Sequence, residues 1–447
     1  MVFNHLLLHF RPTRLQEPTL RYTHTFGLGG MSLVLVLLLA ATGVLLMFAY
    51  EPNPSTAYES LETLQEDVLF GKLVRNIHHW SANFLIVIAF FHLLRVYFTG
   101  AYHGARQFNW VLGSALLLVV LASNFTGYLL PWDQLSYWAI TISTGMLGYV
   151  PGIGNWLQTA ARGGPEIGSA TLINFYTFHT TLFPVLLILL LSFHFWRVRK
   201  AKGVVMPRTL GKEPAGPARD RGAGGPDPQS SGVSVDKPRV VLALPHLLMR
   251  ELAVGLILVA AVLLFSVFFD APLGAEANPG MSPNPAKAPW YFMGFQELLL
   301  HFDPLFAVVL LPLATVIALV YLPYIRYPKP VEGVWFISRT GRRMGVMAAM
   351  TALVTTPLWV VTDEHLLNGS ALLSSLPPVL GNGVLPIAVL GGLFTGFVLF
   401  LKRRFGASIN EMIQTSFIGL TVAFLVLTAT GIWFRGQGMA LVWPWIS

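Results

Sequence analysis

The sequence predicts an all-α, polytopic transmembrane protein: a four-helix bundle that clamps paired cofactors, then a C-terminal helical region, with about nine spans in all. Three observations predict it. Of 447 residues, 54% are hydrophobic and only 11% charged, and the mean hydropathy of +0.62 lies outside the range of water-soluble domains. Apolar runs of about twenty residues recur along the chain, each long enough to cross a bilayer as a helix. Two of these runs hold matched histidine pairs, His78 with His92 and His179 with His194.

Residues 1–24 mix apolar and basic groups (FNHLLLHFRPTRLQ) as an interfacial amphipathic helix does, and no signal-peptide cleavage pattern follows. Spans are expected near 30–50, 75–98, 110–130, 174–197, 247–269, 304–324, 343–361, 384–401 and 412–434. If every run crosses, the basic residues Arg11, Arg14 and Arg21, the clusters at 197–202 and 402–404, and Arg326, Arg339, Arg342 and Arg343 all fall on one side. That puts the N-terminus in the cytoplasm and the C-terminus outside. The net charge of +8 is then an orientation signal and not a nucleic-acid footprint. With no cysteine, the chain itself holds no disulfide, thiolate-bound iron–sulfur cluster or thioether-linked haem.

The stretch 201–240 is rich in Gly, Pro, Ser and charge, cannot bury a core, and reads as a flexible cytoplasmic linker. It divides the chain into an N-terminal four-helix domain (1–200), a C-terminal domain (241–362) and extra transmembrane helices (363–447). The last two spans, His365 and the aromatic tail LVWPWIS carry no interpretable motif and are expected to pack on partners or lipid. His24, His79, His103, His246 and His301 have no partner at ligand spacing and read as loop or interface residues.

Fourteen positions separate His78 from His92, almost a whole number of turns, so both rings leave one helix face roughly 21 Å apart. His179 and His194 repeat the device at fifteen positions. A single intramembrane histidine can simply hydrogen-bond a neighbouring helix or water. Two pairs at matched depth point instead to two stacked cofactors. Zinc fits poorly, since each level offers two nitrogens where a structural site wants four ligands. Bis-histidine haem needs only two. Gly29 with Gly43 and Gly113 with Gly127 are also fourteen apart and would let a flat macrocycle approach the first and third spans, although small residues also serve helix packing. Arg75 and Arg95 lie one turn from His78 and His92, toward the membrane edge, where they could pair with haem carboxylates or merely snorkel.

The segments RNIHHWSAN, FHLLRVYFTGAY, GYLLPWDQLSYWAI, PGIGNW and TLINFYTFHTTLFPV resemble the cytochrome b subunit of cytochrome bc complexes, the quinol:cytochrome c (or plastocyanin) oxidoreductases. The likeness is greatest to the split photosynthetic form joined to its C-terminal subunit, whose second histidine pair is also fifteen apart. The resemblance implies two non-covalent haem b groups, His78 and His179 holding the low-potential one near the outer face and His92 and His194 the high-potential one near the inner face. It also implies quinol as substrate, coupled proton translocation in a respiratory chain, a Rieske-type iron–sulfur protein and a c-type cytochrome as partners, a homodimer of complexes, and a bacterial cytoplasmic membrane. The segment 131–138, the short helices near 153–157 and PNPAKAPWYFMGFQELL would line the outer quinol site, with Tyr291 in the family's Pro-Glu-Trp-Tyr position.

Two departures follow. Pro289 stands where the family carries a proton-accepting glutamate, which leaves Glu297 as substitute and Asp133 as second candidate. The cysteine that holds an extra haem in the split form is absent from the Phe26–Gly30 stretch, so no covalent third haem is expected. Arg199, five beyond His194, matches an arginine beside that form's inner quinone pocket. The missing glutamate keeps a second reading open, a linear dihaem quinol dehydrogenase passing both electrons to one multihaem partner. A transporter would need a polar midplane cavity and broken helices, which the spans lack apart from their histidines.

Overall fold

The computed structural model describes residues 13–208, 239–327, 331–367 and 375–443. Among them nine helices are long and apolar enough to cross a membrane, and the protein is a multi-pass membrane protein. The spans are α1 (Leu28–Met47), α3 (Gly71–Phe98), α4 (Gln107–Leu129), α7 (Ser169–Lys200), α8 (Ala243–Phe268), α10 (Leu305–Tyr324), α11 (Arg339–Leu366), α12 (Val379–Phe405) and α13 (Ile409–Trp433). Short helices lie between them: α2 (Ala57–Glu66), α5 (Gln134–Met146), α6 (Gly154–Arg162) and α9 (Met293–His301). The helix starts are cut where polar side chains can satisfy free backbone amides. Asp133 caps α5, Ser338 caps α11, and Ser408 with Glu411 forms a capping box on α13.

The first four spans pack in sequence, α1 on α3, α3 on α4 and α4 on α7, and α8 closes against α1 and α3. Apolar contact fills the space between helices at three heights. Leu35, Ile77, Leu85, Ile86, Val120 and Val262 form the middle layer. Leu129, Trp132, Ile140, Leu172 and Phe175 lie at the His78 end of the bundle, and Leu93, Tyr97, Tyr102, Trp110 and Leu322 at the His92 end. The C-terminal helices dock on this frame through Trp110 Nε1, which donates to the Leu319 carbonyl at 2.7 Å, and through Phe417, whose ring lies 4.0 Å from that of Tyr97.

Three expectations need correction. The described part of the N-terminal region is not one amphipathic helix: Arg14–Gln16 is a strand (β1) paired antiparallel with Val240–Leu242 (β2), while 1–12, including Arg11, lie outside the described residues. Both ends of the 201–240 linker are bound to the fold. The Val205 carbonyl pairs with His24 Nε2 at 2.7 Å, Arg208 N donates to the Gly333 carbonyl at 2.8 Å, and the far end forms β2. Residues 209–238 lie outside the described set, as do 444–447 of the aromatic tail. Finally, α13 is not peripheral, because it packs along α11 and α9.

Candidate functional site

The His78 and His179 rings face each other from α3 and α7, centroids 6.1 Å apart. Two imidazoles on opposite sides of one metal, at about 2 Å per bond, take this kind of spacing. Second contacts fix which nitrogen is free. His179 Nδ1 lies 2.9 Å from the Ser123 carbonyl, which can only accept, so Nδ1 carries the proton and Nε2 keeps its lone pair. Thr42 Oγ1 gives its own hydrogen to the Leu38 carbonyl at 2.7 Å and therefore accepts from His78 Nδ1 at 2.9 Å. Both rings thus present Nε2 as the available ligand atom.

At the other level His92 and His194 line one cavity of about 590 Å³, a size that suits a bound cofactor. Gly29, Gly113, Arg95 and Asn109 share its wall. Arg95 is buried and donates Nε to the His24 carbonyl at 2.9 Å, but its Nη2 has no hydrogen-bond partner. A buried guanidinium nitrogen without an acceptor calls for an anion. His194 Nδ1 faces the Asn109 backbone without hydrogen-bonding geometry. Arg75, at the opposite end, is differently committed. Its Nη1 donates to Gln65 Oε1 and the Ala271 carbonyl, and its Nη2 to the Pro272 carbonyl, so only its remaining donors could meet a carboxylate.

The four glycines face the four histidines one to one. A methyl group on Gly43 would stand 3.2 Å from His78 Cε1, on Gly29 3.1 Å from His92 Cε1, on Gly113 3.6 Å from His194 Cε1, and on Gly127 2.5 Å from His179 Cε1. Each notch faces the Cε1 edge of an imidazole, closely at Gly29, Gly43 and Gly127 and at ordinary contact distance at Gly113. The sequence carried a signal that was passed over. Thr42-Gly43 and Thr126-Gly127 repeat one dipeptide at the same height, and both threonines approach a histidine Nδ1, Thr126 at 3.4 Å.

His179 sits in a π-turn, Phe178–Leu182, inside α7. Pro184 lacks the amide that would bond to the carbonyl four residues back, and the helix widens by one residue before it. Fifteen regular positions would swing the second ring about 100° further round than fourteen. The π-turn absorbs the extra residue, so the two helices present equivalent couples despite unequal spacing. Two other π-turns, Leu305–Leu310 and Val379–Val384, also end two residues before a proline, Pro312 and Pro386.

Beside the His78–His179 couple lies the loop joining α8 to α9. Pro289 starts a 3-10 turn over Trp290–Phe292, Trp290 Nε1 donates to Asn83 Oδ1 on α3 at 2.6 Å, and Phe292 meets Phe125 on α4 edge-on at 5.4 Å. Tyr291 packs against the middle core layer, its hydroxyl is buried without a partner, and burial pushes its pKa above the ordinary phenol value.

A family model described as cytochrome b/b6/petB matches residues 15–202. Cytochrome b6 of Synechococcus sp. (strain CC9605) is 40% identical over 175 residues, covering 39% of this chain and 80% of that protein. The chain belongs to the cytochrome b family. Cytochrome b6 of Heliomicrobium gestii is likewise 40% identical, over 174 residues and 82% of its length. A solved chain of a hyperthermophilic respiratory Complex III superposes with a TM-score of 0.62 at 20% identity, covering 96% of this chain and 95% of that one, so the fold continues past the region of sequence similarity. Members of the cytochrome b family are electron-transfer subunits of quinol oxidoreductases and generally carry two b haems. The residues present fit such groups: the facing His78–His179 couple with hydrogen bonds that free Nε2, a second histidine pair lining one cavity, and in the wall of that cavity a buried arginine with one unpaired nitrogen.

The carboxylates proposed as proton acceptors are correspondingly constrained. Asp133 ties the fold together, its Oδ1 accepting from Ser136 N at 2.9 Å and its Oδ2 from Gly274 N at 2.8 Å. Glu297 is fully buried and gripped by Arg435, with Nε at 3.1 and 3.0 Å from its two oxygens and Nη2 at 2.5 Å from Oε1. Burial alone would raise its pKa, but hydrogen bonds from His301 and Arg435 outweigh it and hold the carboxyl below its ordinary value. A carboxylate held ionised this way is a weaker base, which counts against Glu297 as the acceptor. His301, read as a mere loop residue, lies in the same cluster, with Nδ1 2.7 Å from Asp363 Oδ2. Arg199 lies exposed beside Trp196 and Lys200 at the end of α7.

Proposed function

We propose that the chain is the dihaem subunit of a bacterial cytoplasmic-membrane quinol:cytochrome c type oxidoreductase, its N-terminus cytoplasmic. Quinol is oxidised at the Tyr291 loop on the outer side, and the electrons divide between a Rieske-type iron–sulfur partner and the transmembrane haems leading to an inner quinone site near Arg199. The observation that carries the reading is the facing of His78 and His179, whose Nδ1 atoms are each committed to an acceptor. When bound, the two haems supply one-electron transfer across the bilayer. The protein's part is to present four imidazoles, those of His78 and His179 in fixed tautomers, to set a cation at Arg95, and to seat quinol against Tyr291 and Trp290 beside the His78–His179 couple. Protons released from quinol leave on the outer side and protons are taken up inside, which makes the cycle proton-translocating. Partners of this chemistry include a c-type cytochrome, and the complex is a homodimer. The organisation behind this is the bundle 1–200, the segment 201–240, the outer-loop domain 241–362 and the helices of 363–447.

Pro289 in the glutamate position favours a second reading, in which both electrons pass to one multihaem c-type partner without division. The deciding experiment is oxidant-induced haem reduction with the inner site inhibited. Rapid b-haem reduction on oxidising the outer acceptor supports division, and its absence supports the linear scheme.

A further inference from the structure

The loop 269–292 has no helix before its 3-10 turn and keeps its shape through side-chain ties. Its first half is tied to the N-terminal bundle. Asn76 Oδ1 accepts from Ala271 N at 2.8 Å, Arg75 reaches the Ala271 and Pro272 carbonyls, and Asp133 holds Gly274. Its second half is tied to the C-terminal tail. Lys287 Nζ donates to the Ile432 carbonyl at 3.0 Å, Gly438 N donates to Asn284 Oδ1 at 2.5 Å, and Arg435 clasps Glu297 one turn into α9. The tail is itself stiff, with Arg435 bridged to Leu441 across a tight turn and Leu441 N donating to Glu364 Oε1 at 3.0 Å.

We infer that Arg435 is a positioning residue for the outer quinol site, acting through Glu297 to fix α9 and, with it, the turn that carries Trp290 and Tyr291. The inference rests on the quinol-oxidase reading above. Arg435 suits the task because its fork spans two elements, Nε and Nη2 on Glu297 of α9 and Nη1 on Glu364 Oε2 at the end of α11 at 2.5 Å. Both partners are acidic, and Glu297 is shut off from bulk solvent, so removing the cation leaves a buried charge short of its main partner. The final helix and its tail therefore hold one wall of a site whose other wall is α3 and α4.

The test uses the intact complex in membranes, a short-chain benzoquinol as probe, and the Arg435→Gln and Arg435→Lys variants. The expected result for Arg435→Gln is both haems present by pyridine haemochromogen, normal reduction by dithionite, and a kcat/KM for quinol lowered roughly ten- to a hundredfold, mostly through KM, with Arg435→Lys recovering part of the loss. A KM and kcat within about twofold of wild type in Arg435→Gln, both haems present, would overturn the inference. Should Arg435→Gln fail to assemble, the paired variant Glu297→Met with Arg435→Met removes the Glu297–Arg435 pair together. A raised KM there supports the clamp, and a wild-type KM overturns it. Failure of the underlying reading shows separately, as a wild-type complex whose haems are not reduced by quinol at all.

Discussion

Gly127→Ala is the most discriminating change the histidine geometry offers. Its new methyl would lie 2.5 Å from His179 Cε1, 3.0 Å from Nδ1 and 3.1 Å from Nε2, whereas carbon atoms pack at about 3.5–4.0 Å. The ring must move by about 1 Å, yet Nδ1 is held 2.9 Å from the Ser123 carbonyl, so the movement stretches or breaks that bond. Overpacking of this kind costs about 1–3 kcal/mol, and the gain in helix propensity from Gly to Ala returns at most about 1 kcal/mol. The net loss of up to about 2 kcal/mol falls on one ligand and corresponds to a hold on the cofactor at that level weakened by up to about thirtyfold. Gly113→Ala puts its methyl 3.6 Å from His194 Cε1, ordinary contact, and serves as the control. The assay is haem content per polypeptide with a redox titration resolving two b-type waves. Gly127→Ala should lose or shift the low-potential wave alone and Gly113→Ala should retain both. Two intact waves in Gly127→Ala, or a greater loss in Gly113→Ala, would refute the assignment of His179 as a ligand opposed by a glycine notch.

Arg95→Gln removes a cation from the wall of the His92–His194 cavity, one whose Nη2 has no hydrogen-bond partner, so the midpoint of the high-potential wave should fall by on the order of tens of millivolts; an unmoved midpoint would detach Arg95 from that cofactor. Asp133→Ala loses a helix cap and the Gly274 tie, worth about 1–3 kcal/mol together, and should lower the melting temperature while leaving the pH profile of quinol oxidation in place; a displaced profile would restore Asp133 as a proton acceptor. The α9–tail junction should also respond to pH. Burial would lower the His301 pKa, but its bonds to Asp363 and Glu297 raise it above 6.5, so its contribution is complete below 6.5 and fades as pH climbs through the raised value. The Glu297 pKa is held below 4.5, so its contribution is complete above 4.5 and fades as pH falls through the lowered value. Hydrogen-exchange protection of 434–443 should therefore peak between 4.5 and 6.5, and a flat profile would sink this account.

The spans were legible because each is a long apolar run, and the histidine and glycine spacings expose a helical period even without an alignment. What could not be read was whatever depends on partners distant in sequence. Nothing near Glu297 announces Arg435, 138 positions away, and an isolated carboxylate after Trp290-Tyr291 reads as a base until the guanidinium beside it is seen. Asp133 was ambiguous for the same reason, since Gly274 is 141 positions off. Arg75 and Arg95 look equivalent as sequence, one turn from a histidine each, yet the backbone carbonyls at 271 and 272 occupy the first while the second keeps a nitrogen free. At 14–16 the sequence misled because a three-residue strand leaves too short a pattern to oppose an amphipathic helical one.

The widened turn at Phe178–Leu182 carries a lesson about how such chains can change length. A bulge next to a proline is a place where one amino acid can be gained or lost while the rest of the rod stays in phase. Chains with unequal counts between their paired ligands can then grip the same prosthetic groups at the same depth, and a difference of one residue there is no sign of different chemistry.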